Sequence, residues 1–433
     1  MAQRLKVAVI GGGSSYTPEL IEGFILNYST FPVTEIVLVD IQEGLHKLSI
    51  VGQLAKRMIA RSGLPIELSL TLDRRSALAD ASFVTTQMRV GRLEARGWDE
   101  TIPLKYGMIG QETTGPGGMM KALRTIPVLL EVARDMEELC PDAWLLNFTN
   151  PAGMVTEAIH KHSSIKSIGL CNSPIAAYKW LSELYQVPAE RIYCEFAGLN
   201  HLHWISTITV DGESKLPELL ANRDGYSARN VPQYDWNATL LSALKAIPSY
   251  YLKYFYLHRE ILAEQQEAAA RGETRAETVQ RLEDELFELY KDEELAEKPK
   301  QLEQRGGAYY SEAAVRLMNS LYNDSGDIQT LNVPNQGILG FLPDDACIEV
   351  NCKVHKDGPV AMPVTVVPEA AKGLIHAVKT YEGLAIEAAV TGSRATALLA
   401  LAHHPLVPSA NDAEAMLDEM LEQNKAYLPG FFI

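Results

Sequence analysis

The chain predicts an α/β protein, with a doubly wound parallel sheet in its N-terminal part and an α+β C-terminal part. Three observations carry this expectation. Short apolar runs alternate with helix-like segments through the first third, as in β-α-β units with right-handed crossovers. The first run breaks into Gly11, Gly12 and Gly13. After about residue 172 the alternation gives way to longer strand-like runs and alanine-rich helical stretches.

At 433 residues the chain is long enough for two parts sharing a large apolar interior. The expected division is a dinucleotide-binding part, 1–172, and a part for substrate, metal and oligomerisation, 173–433. A formal charge of −16 argues against nucleic acid as a partner, and any ligand phosphate would have to be met by local cations. No run approaches membrane-spanning length, and the first strand begins without a signal-peptide pattern. Cys140, Cys171, Cys194, Cys347 and Cys352 show no finger-type pairing, which suggests reduced thiols and a cytoplasmic protein. Cys347 and Cys352 alternate within strand-like sequence and read as small core residues.

Val7, Val9 and Ile10 form the first strand, and a helix is expected over 18–26. Glycines at such a junction let backbone amides, with Ser14 beside them, approach a pyrophosphate at a helix N-terminus. The next run, 36–39, ends in Asp40, placed to accept hydrogen bonds from an adenosine ribose and to repel a 2′-phosphate. Gly11 and Gly13 match the first two glycines of G-x-G-x-x-G, while Tyr16 takes the third place. With Asp40, the turn favours NAD binding in a Rossmann-type sheet over an ordinary strand–turn–helix. Residues 82–86, 144–148 and 167–170 read as further parallel strands, with an amphipathic helix over 125–140. Their carboxyl ends would bring 11–14, Asp40, 87–92, 147–150 and 171–172 to one rim.

Beyond residue 172, a helix over 176–185 precedes strands over 195–197 and 203–210, then one long helical stretch over 239–259. Residues 266–305 are dense in Glu, Lys, Arg and Gln and read as a solvated helical face or a mobile lid. Antiparallel strands are expected over 335–354 and 358–367, and helices over 368–404 and 411–425.

Four constellations bear on chemistry. In Asn200-His201-Leu202-His203 the histidines share a face if the segment is extended, and Cys171 follows a strand that aims at the crevice. A thiolate and an imidazole would leave coordination positions open on a metal, while each residue alone reads equally as structural. Arg89, Arg92 and Arg96 fall at one loop–helix start, either in surface ion pairs or facing phosphate or sugar. Residues 107–118 carry five glycines around Gln111-Glu-Thr-Thr114 and read as a loop that closes over a ligand. The run 248–256 holds Tyr250, Tyr251, Tyr254 and Tyr256, of which one at most would be a catalytic base.

Read together and in order, Gly11-Gly-Gly-Ser14 with Tyr16-Thr-Pro18, Gly110-Gln-Glu-Thr-Thr-Gly-Pro-Gly-Gly118, Asn147-Phe-Thr-Asn-Pro151, Cys171-Asn-Ser-Pro174 and Gly198-Leu-Asn-His201 resemble the NAD- and metal-dependent glycoside hydrolase family four, and within it the 6-phospho-β-glucosidases. The similarity runs from residue 5 to the region of Asn335-Gln-Gly337 and Leu342-Pro-Asp344. It implies an architecture like that of lactate and malate dehydrogenases, and a homodimer or homotetramer. It also implies hydrolysis of a phosphorylated disaccharide or aryl glucoside by a redox route, outside the usual carboxylate pair. NAD⁺ takes hydride from C3, a tyrosine removes the acidified C2 proton, the aglycone leaves C1, water adds, and the hydride returns.

By the same resemblance Cys171 and His201 hold the metal, most often Mn²⁺. Tyr251 is the base, with Tyr250 as the neighbouring alternative, and Glu112 raises its basicity. Gly11, Gly12, Gly13, Ser14, Asp40 and Arg89 face the cofactor, while Arg96, Asn150 and Arg271 contact substrate. Family members acting on α-linked 6-phosphoglucosides carry aspartate after the metal cysteine. Asn172 stands there and points to β-linked substrates, leaving open which group assists the leaving oxygen. The alternatives are a 6-phospho-α-glucosidase or galacturonidase of the same family, a lactate/malate-type dehydrogenase, and a nucleotide-binding sensor without turnover. The dehydrogenase would need an aspartate partner for His201 that the sequence does not offer nearby.

Overall fold

Lys6–Ile10 (β1) is buried at every position, as a strand covered on both faces requires. Glu35–Val39 (β2), Glu67–Thr71 (β3), Phe83–Thr86 (β4), Trp144–Asn147 (β5) and Ser167–Gly169 (β6) join it in the parallel order β3-β2-β1-β4-β5-β6. The strand order reverses between β1 and β4, and in such sheets ligands collect outside the carboxyl ends at that point. The computed structural model describes residues 4–222, 234–305 and 309–432.

The sheet does not stop at β6. Ile192–Leu199 (β7), Leu202–Val210 (β8), Glu213–Ser214 (β9), Ile247–Pro248 (β10), Ile328–Pro334 (β11), Cys347–His355 (β12) and Gly358–Ala361 (β13) extend it with antiparallel pairing. β11 attaches to β6 through Asn332 opposite Gly169, so both parts of this α/β protein share one sheet. All five cysteines are buried and free. Among the described residues no helix is long and apolar enough to cross a membrane.

Three expectations are corrected. The long helical stretch over 239–259 is broken: Lys245 caps Ala238–Leu244 in the left-handed region, and Ile247–Pro248 pairs with β8. The Ser249 side chain then accepts the Tyr251 amide; Tyr250 and Tyr251 lie in a tight turn, Tyr250–Leu252, Tyr254 and Tyr256 in the short helix Lys253–Tyr256, and a longer helix follows at His258–Ala270. Next, the glycine-rich stretch is not a free loop, because helix Gly115–Leu139 begins inside it. Pro116 suits the first helical turn, and a Cβ on Gly117 would fall 2.4 Å from the Asp99 carbonyl oxygen, so only glycine lets the helix pack there. Finally, the charged segment is only in part a solvated helical face. Helix Arg275–Tyr290 buries Ala276, Val279, Leu286, Phe287 and Tyr290 together with Glu283, which pairs with Arg305, and most of its remaining charges lie on the outer face.

The two parts are also joined by charge. Glu157, on helix Ala152–His162, accepts hydrogen bonds from Lys161 (2.8 Å), from Lys379 of helix Glu369–Thr391 (2.7 Å) and from the Cys347 amide of β12 (2.8 Å). Burial would raise its pKa, but Lys379 and Lys161 outweigh it and hold the carboxyl at about 2. A carboxyl depressed from 4.5 adds stability that is present above pH 4.5 and lost as pH falls toward 2, in total about 3 kcal/mol. In urea unfolding, Glu157→Gln is expected to lose about 2 kcal/mol less than wild type between pH 6 and pH 3. Parallel pH slopes would refute the assignment.

Candidate active site

The carboxyl ends of β1, β2, β4, β5 and β6 open into one cavity of about 1720 Å³. Gly11, at φ +84°, comes so close to the neighbouring chain that a Cβ would lie 2.9 Å from Met88 N and Cα, which excludes any other residue. Gly11 and Gly12 both donate to the Val39 carbonyl, at 2.9 and 2.7 Å. The Gly13 amide donates to Asp40 Oδ2 (2.8 Å) and the Ile41 amide to Oδ1 (2.9 Å), so Asp40 ties the first two βα turns together. Gly11, Gly13, Ser14 and Asp40 line the cavity, whereas Gly12 packs against Leu38.

A carboxylate ringed by cations forms another wall. Glu112 pairs with Arg89, with Arg96 at 3.1 Å and with Lys121 at 2.7 Å, all within the cavity lining. Burial opposes the charge on Glu112, but Arg89, Arg96 and Lys121 hold its pKa well below the usual carboxylate range. Lys121 is pushed down to about 7, first by burial and then by Arg89, with Glu112 acting the other way. Arg96 also meets Glu100 at 2.7 Å. The preceding backbone is fixed as well, since Gly110 exchanges two hydrogen bonds with the Gln265 amide, at 3.1 and 2.9 Å.

His201 sits in a two-residue turn between β7 and β8, at φ +62°, in the left-handed region that non-glycine residues seldom adopt. Its protonation follows from hydrogen-bond accounting. Gln111 Oε1 accepts the amides of Thr113 (2.5 Å) and Thr114 (2.8 Å), which identifies it as the oxygen. The Thr113 hydroxyl spends its one proton on that oxygen at 2.8 Å, so His201 Nδ1, 3.0 Å from Thr113 Oγ1, must be the donor. Nε2 is left as a bare lone pair. Burial lowers the His201 pKa to about 4 and keeps the ring neutral, as a metal ligand requires.

The Tyr251 ring stacks on His201 at 3.7 Å between centroids and 13° between planes. Burial, reinforced by Tyr250 and Cys171, pushes its phenol well above the ordinary value. Cys171, directly after β6, lines the same cavity, and its sulfur accepts the Ser173 amide at 3.4 Å. Burial raises its thiol, so a thiolate would need a cation beside it. Among the described residues no three His, Cys, Asp or Glu side chains come together as a metal cage. Cys171 and His201 both line the cavity, and a thiol with an imidazole would leave the coordination sphere of a metal open.

The structure brings Arg89, Arg96, Asn150, Asn172 and Tyr250 to the cavity wall as well. Asn150 Oδ1 accepts the Ala152 amide at 3.3 Å, and Asn172 stands at the N-cap of helix Ser173–Tyr185. It does not bring in Arg271, which is exposed at the end of its helix and paired with Glu273 (2.8 Å) and Glu267. Arg275, at the start of the next helix, lines the cavity instead. It is exposed at the cavity wall and has no carboxylate at ion-pairing distance among the described residues; desolvation by the surrounding protein, with Arg96 nearby, lowers its pKa. His203 is corrected too. It is buried in β8 and bonds Glu349 Oε2 at 2.5 Å, away from the cavity lining, so the two histidines do not act as a pair. Lys121, Thr113, Lys253 and Arg275 escaped the sequence reading. The signal for Lys121 was its spacing of nine residues from Glu112, hidden while 107–118 read as a loop.

The fold and cavity define a dinucleotide-binding-type sheet with a thiol–imidazole pair beyond its carboxyl edge. The family model for Family 4 glycosyl hydrolase matches residues 6–187, and that for the Family 4 glycosyl hydrolase C-terminal domain matches 196–407. The chain belongs to glycosyl hydrolase family 4. It is 53% identical to a probable 6-phospho-β-glucosidase of Bacillus subtilis, covering 100% of this chain and 99% of that one. It is 45% identical to the 6-phospho-β-glucosidase of Escherichia coli, covering 100% and 98%. The solved 6-phospho-β-glucosidase of Thermotoga maritima with manganese, NAD⁺ and glucose-6-phosphate superposes with a TM-score of 0.90 at 36% identity, covering 98% and 99%. A malate dehydrogenase of Cryptosporidium parvum, at TM-score 0.54 and 15% identity, shares the fold.

The buried ring of charges makes a stability prediction. Glu112→Gln keeps the shape but leaves Arg89, Arg96 and Lys121 facing one another, and should cost about 3–5 kcal/mol in urea unfolding. Phosphate at tens of millimolar (on the order of the screening range) should recover part of that loss. A variant as stable as wild type would show that the three cations relax apart.

Proposed function

We propose that the protein is a 6-phospho-β-glucosidase, hydrolysing 6-phospho-β-glucosides to glucose-6-phosphate and the aglycone with NAD⁺ and a divalent cation such as Mn²⁺. The observation that carries the reading is the convergence of Cys171, His201 and Tyr251 on the cavity that also bears Gly11, Ser14 and Asp40. The relatives named 6-phospho-β-glucosidase support it, as do the bound NAD and manganese in solved family structures. With this reading the cofactor is held by residues before 172, while metal and sugar are held from both sides of that point, by Cys171, Arg96 and Asn150 before it and by His201, Tyr251 and Arg275 after it.

Cys171 Sγ and His201 Nε2 would hold the cation, and Gly11, Gly13, Ser14, Asp40 and Arg89 the dinucleotide. When bound, NAD⁺ supplies a reversible hydride acceptor for sugar C3, and the dication supplies a Lewis acid for the oxygens beside it. Tyr251 takes the proton from C2: burial and the Glu112 charge keep its phenolate strongly basic, and the dication, when bound, would lower the phenol enough to ionise it. Arg96, Asn150 and Arg275 orient the phosphorylated sugar, with Arg275 in the place the sequence assigned to Arg271. Asn172 cannot donate an acidic proton, in keeping with a β-linked substrate. By the same family reading the enzyme works as a cytoplasmic homodimer or homotetramer.

The decisive assay uses enzyme stripped of metal and nucleotide, with p-nitrophenyl-β-glucoside-6-phosphate as substrate. Nitrophenol should appear only when Mn²⁺ and NAD⁺ are both restored, without accumulation of NADH. Turnover without NAD⁺ would refute the redox route, and steady NADH production would favour a dehydrogenase of the malate type. Cys171→Ser and His201→Ala should abolish metal-dependent turnover while leaving NAD⁺ affinity within about twofold, on the order expected for distant sites. Asp40→Ala should weaken NAD⁺ binding about 10- to 100-fold and relax discrimination against NADP⁺. Unchanged affinity would move the ribose elsewhere.

A further inference from the structure

Lys253 is used by nothing described so far. It lies two residues beyond Tyr251, its side chain is buried, and it lines the cavity. Its Nζ donates to the Tyr234 hydroxyl at 2.5 Å and lies 4.1 Å from the Tyr234 ring centre and 5.1 Å from that of Tyr254. The Tyr254 ring in turn lies 6.4 Å from the Tyr251 ring. Among the described residues no carboxylate pairs with Lys253. That sets it apart from Arg89, Arg96 and Lys121, all of which meet Glu112. An ammonium has three N–H groups, and one is spent on Tyr234, so two remain for a ligand in the cavity.

Elimination at C1 leaves a problem that Asn172 cannot solve: a departing sugar oxygen is a strong base and needs a proton. Glu112 is held ionised by three cations, and Glu100 is bound to Arg96 and to the Ala276 amide. Glu264, the charge acting on Lys253, is exposed on helix His258–Ala270. Resting on the glucosidase reading above, we propose that Lys253, steadied by Tyr234, is the acid that protonates the glycosidic oxygen.

The step balances. Tyr251 takes the C2 proton, the C2–H electron pair becomes the C1–C2 π bond, and the C1–O bond breaks with its pair going to oxygen. That oxygen takes a proton from Lys253 Nζ, and the aglycone leaves as a neutral alcohol. When water adds to C1, Lys253 recovers a proton from it and Tyr251 returns one to C2. Burial, partly offset by Glu264, brings the ammonium pKa down to about 8, so it is charged near neutrality and acidic enough to donate.

The test compares leaving groups. Cellobiose-6-phosphate releases a sugar hydroxyl that needs protonation, whereas nitrophenolate leaves readily without it. Lys253→Met should lower kcat/KM for cellobiose-6-phosphate by about 10²–10³-fold, the range of general acid catalysis, and its loss on the nitrophenyl substrate should be at least ~30-fold smaller. Tyr234→Phe should show the same ordering with a smaller loss, and unaltered NAD⁺ binding by both variants would establish that they fold. Equal losses on both substrates would overturn the proposal. Equal losses with weakened glucose-6-phosphate binding would make Lys253 a phosphate ligand instead. A wild-type enzyme inert on both substrates with Mn²⁺ and NAD⁺ would overturn the glucosidase reading and this assignment with it.

Discussion

A single carboxylate, Glu112, about nine-tenths withdrawn from solvent with its side chain 12% exposed, is the constraint on which the cavity depends. Arg89 follows β4, Arg96 lies on helix Arg92–Lys105, and Lys121 lies on helix Gly115–Leu139, and all three converge on it. Bringing three cations together out of water would be prohibitive without an anion among them. The same stretch carries Gln111 and Thr113, whose hydrogen bonds fix the His201 tautomer. One pinned segment thus sets both the electrostatics of the cavity and which ring nitrogen of His201 is left without a proton.

Much of the fold was legible because burial writes itself into short sequence patterns. The first strand, the glycine turn and Asp40 follow one another within 40 residues, and each is local. What was not legible depended on relations that local pattern does not carry. Arg271 and Arg275 are four residues apart on a charged stretch, and sequence alone does not tell which faces inward. The structure decides it through a helix boundary: Arg271 ends one helix, and Thr274 with Glu277 forms a capping box that starts the next at Arg275.

The two histidines teach the same lesson. Alternation would put His201 and His203 on one face of an extended strand. A two-residue turn intervenes, with Leu199 paired to Leu202, and His201 takes a left-handed backbone there. His203 begins the buried part of β8 and joins Glu349, which also accepts from Asn200 and Asn332 at 3.0 Å each. A motif that reads as a pair of ligands is one histidine on the cavity wall and one structural anchor behind it.

An acidic chain with a cationic cavity resolves a tension that composition alone leaves standing. The net charge of −16 repels polyanions at long range, but such repulsion is screened within about 8–10 Å at ordinary ionic strength. Three guanidinium groups, Arg96, Arg275 and Arg305, line the cavity, and the charges of Arg96 and Arg305 both act on Arg275. Arg305 is satisfied by Glu283 (2.6 Å) and Arg96 by its two glutamates, which leaves Arg275 as a guanidinium with hydrogen bonds to give. A small, singly phosphorylated ligand fits that arrangement better than a polymer does, because it carries its charge past the acidic surface and meets cationic donors only within the cavity.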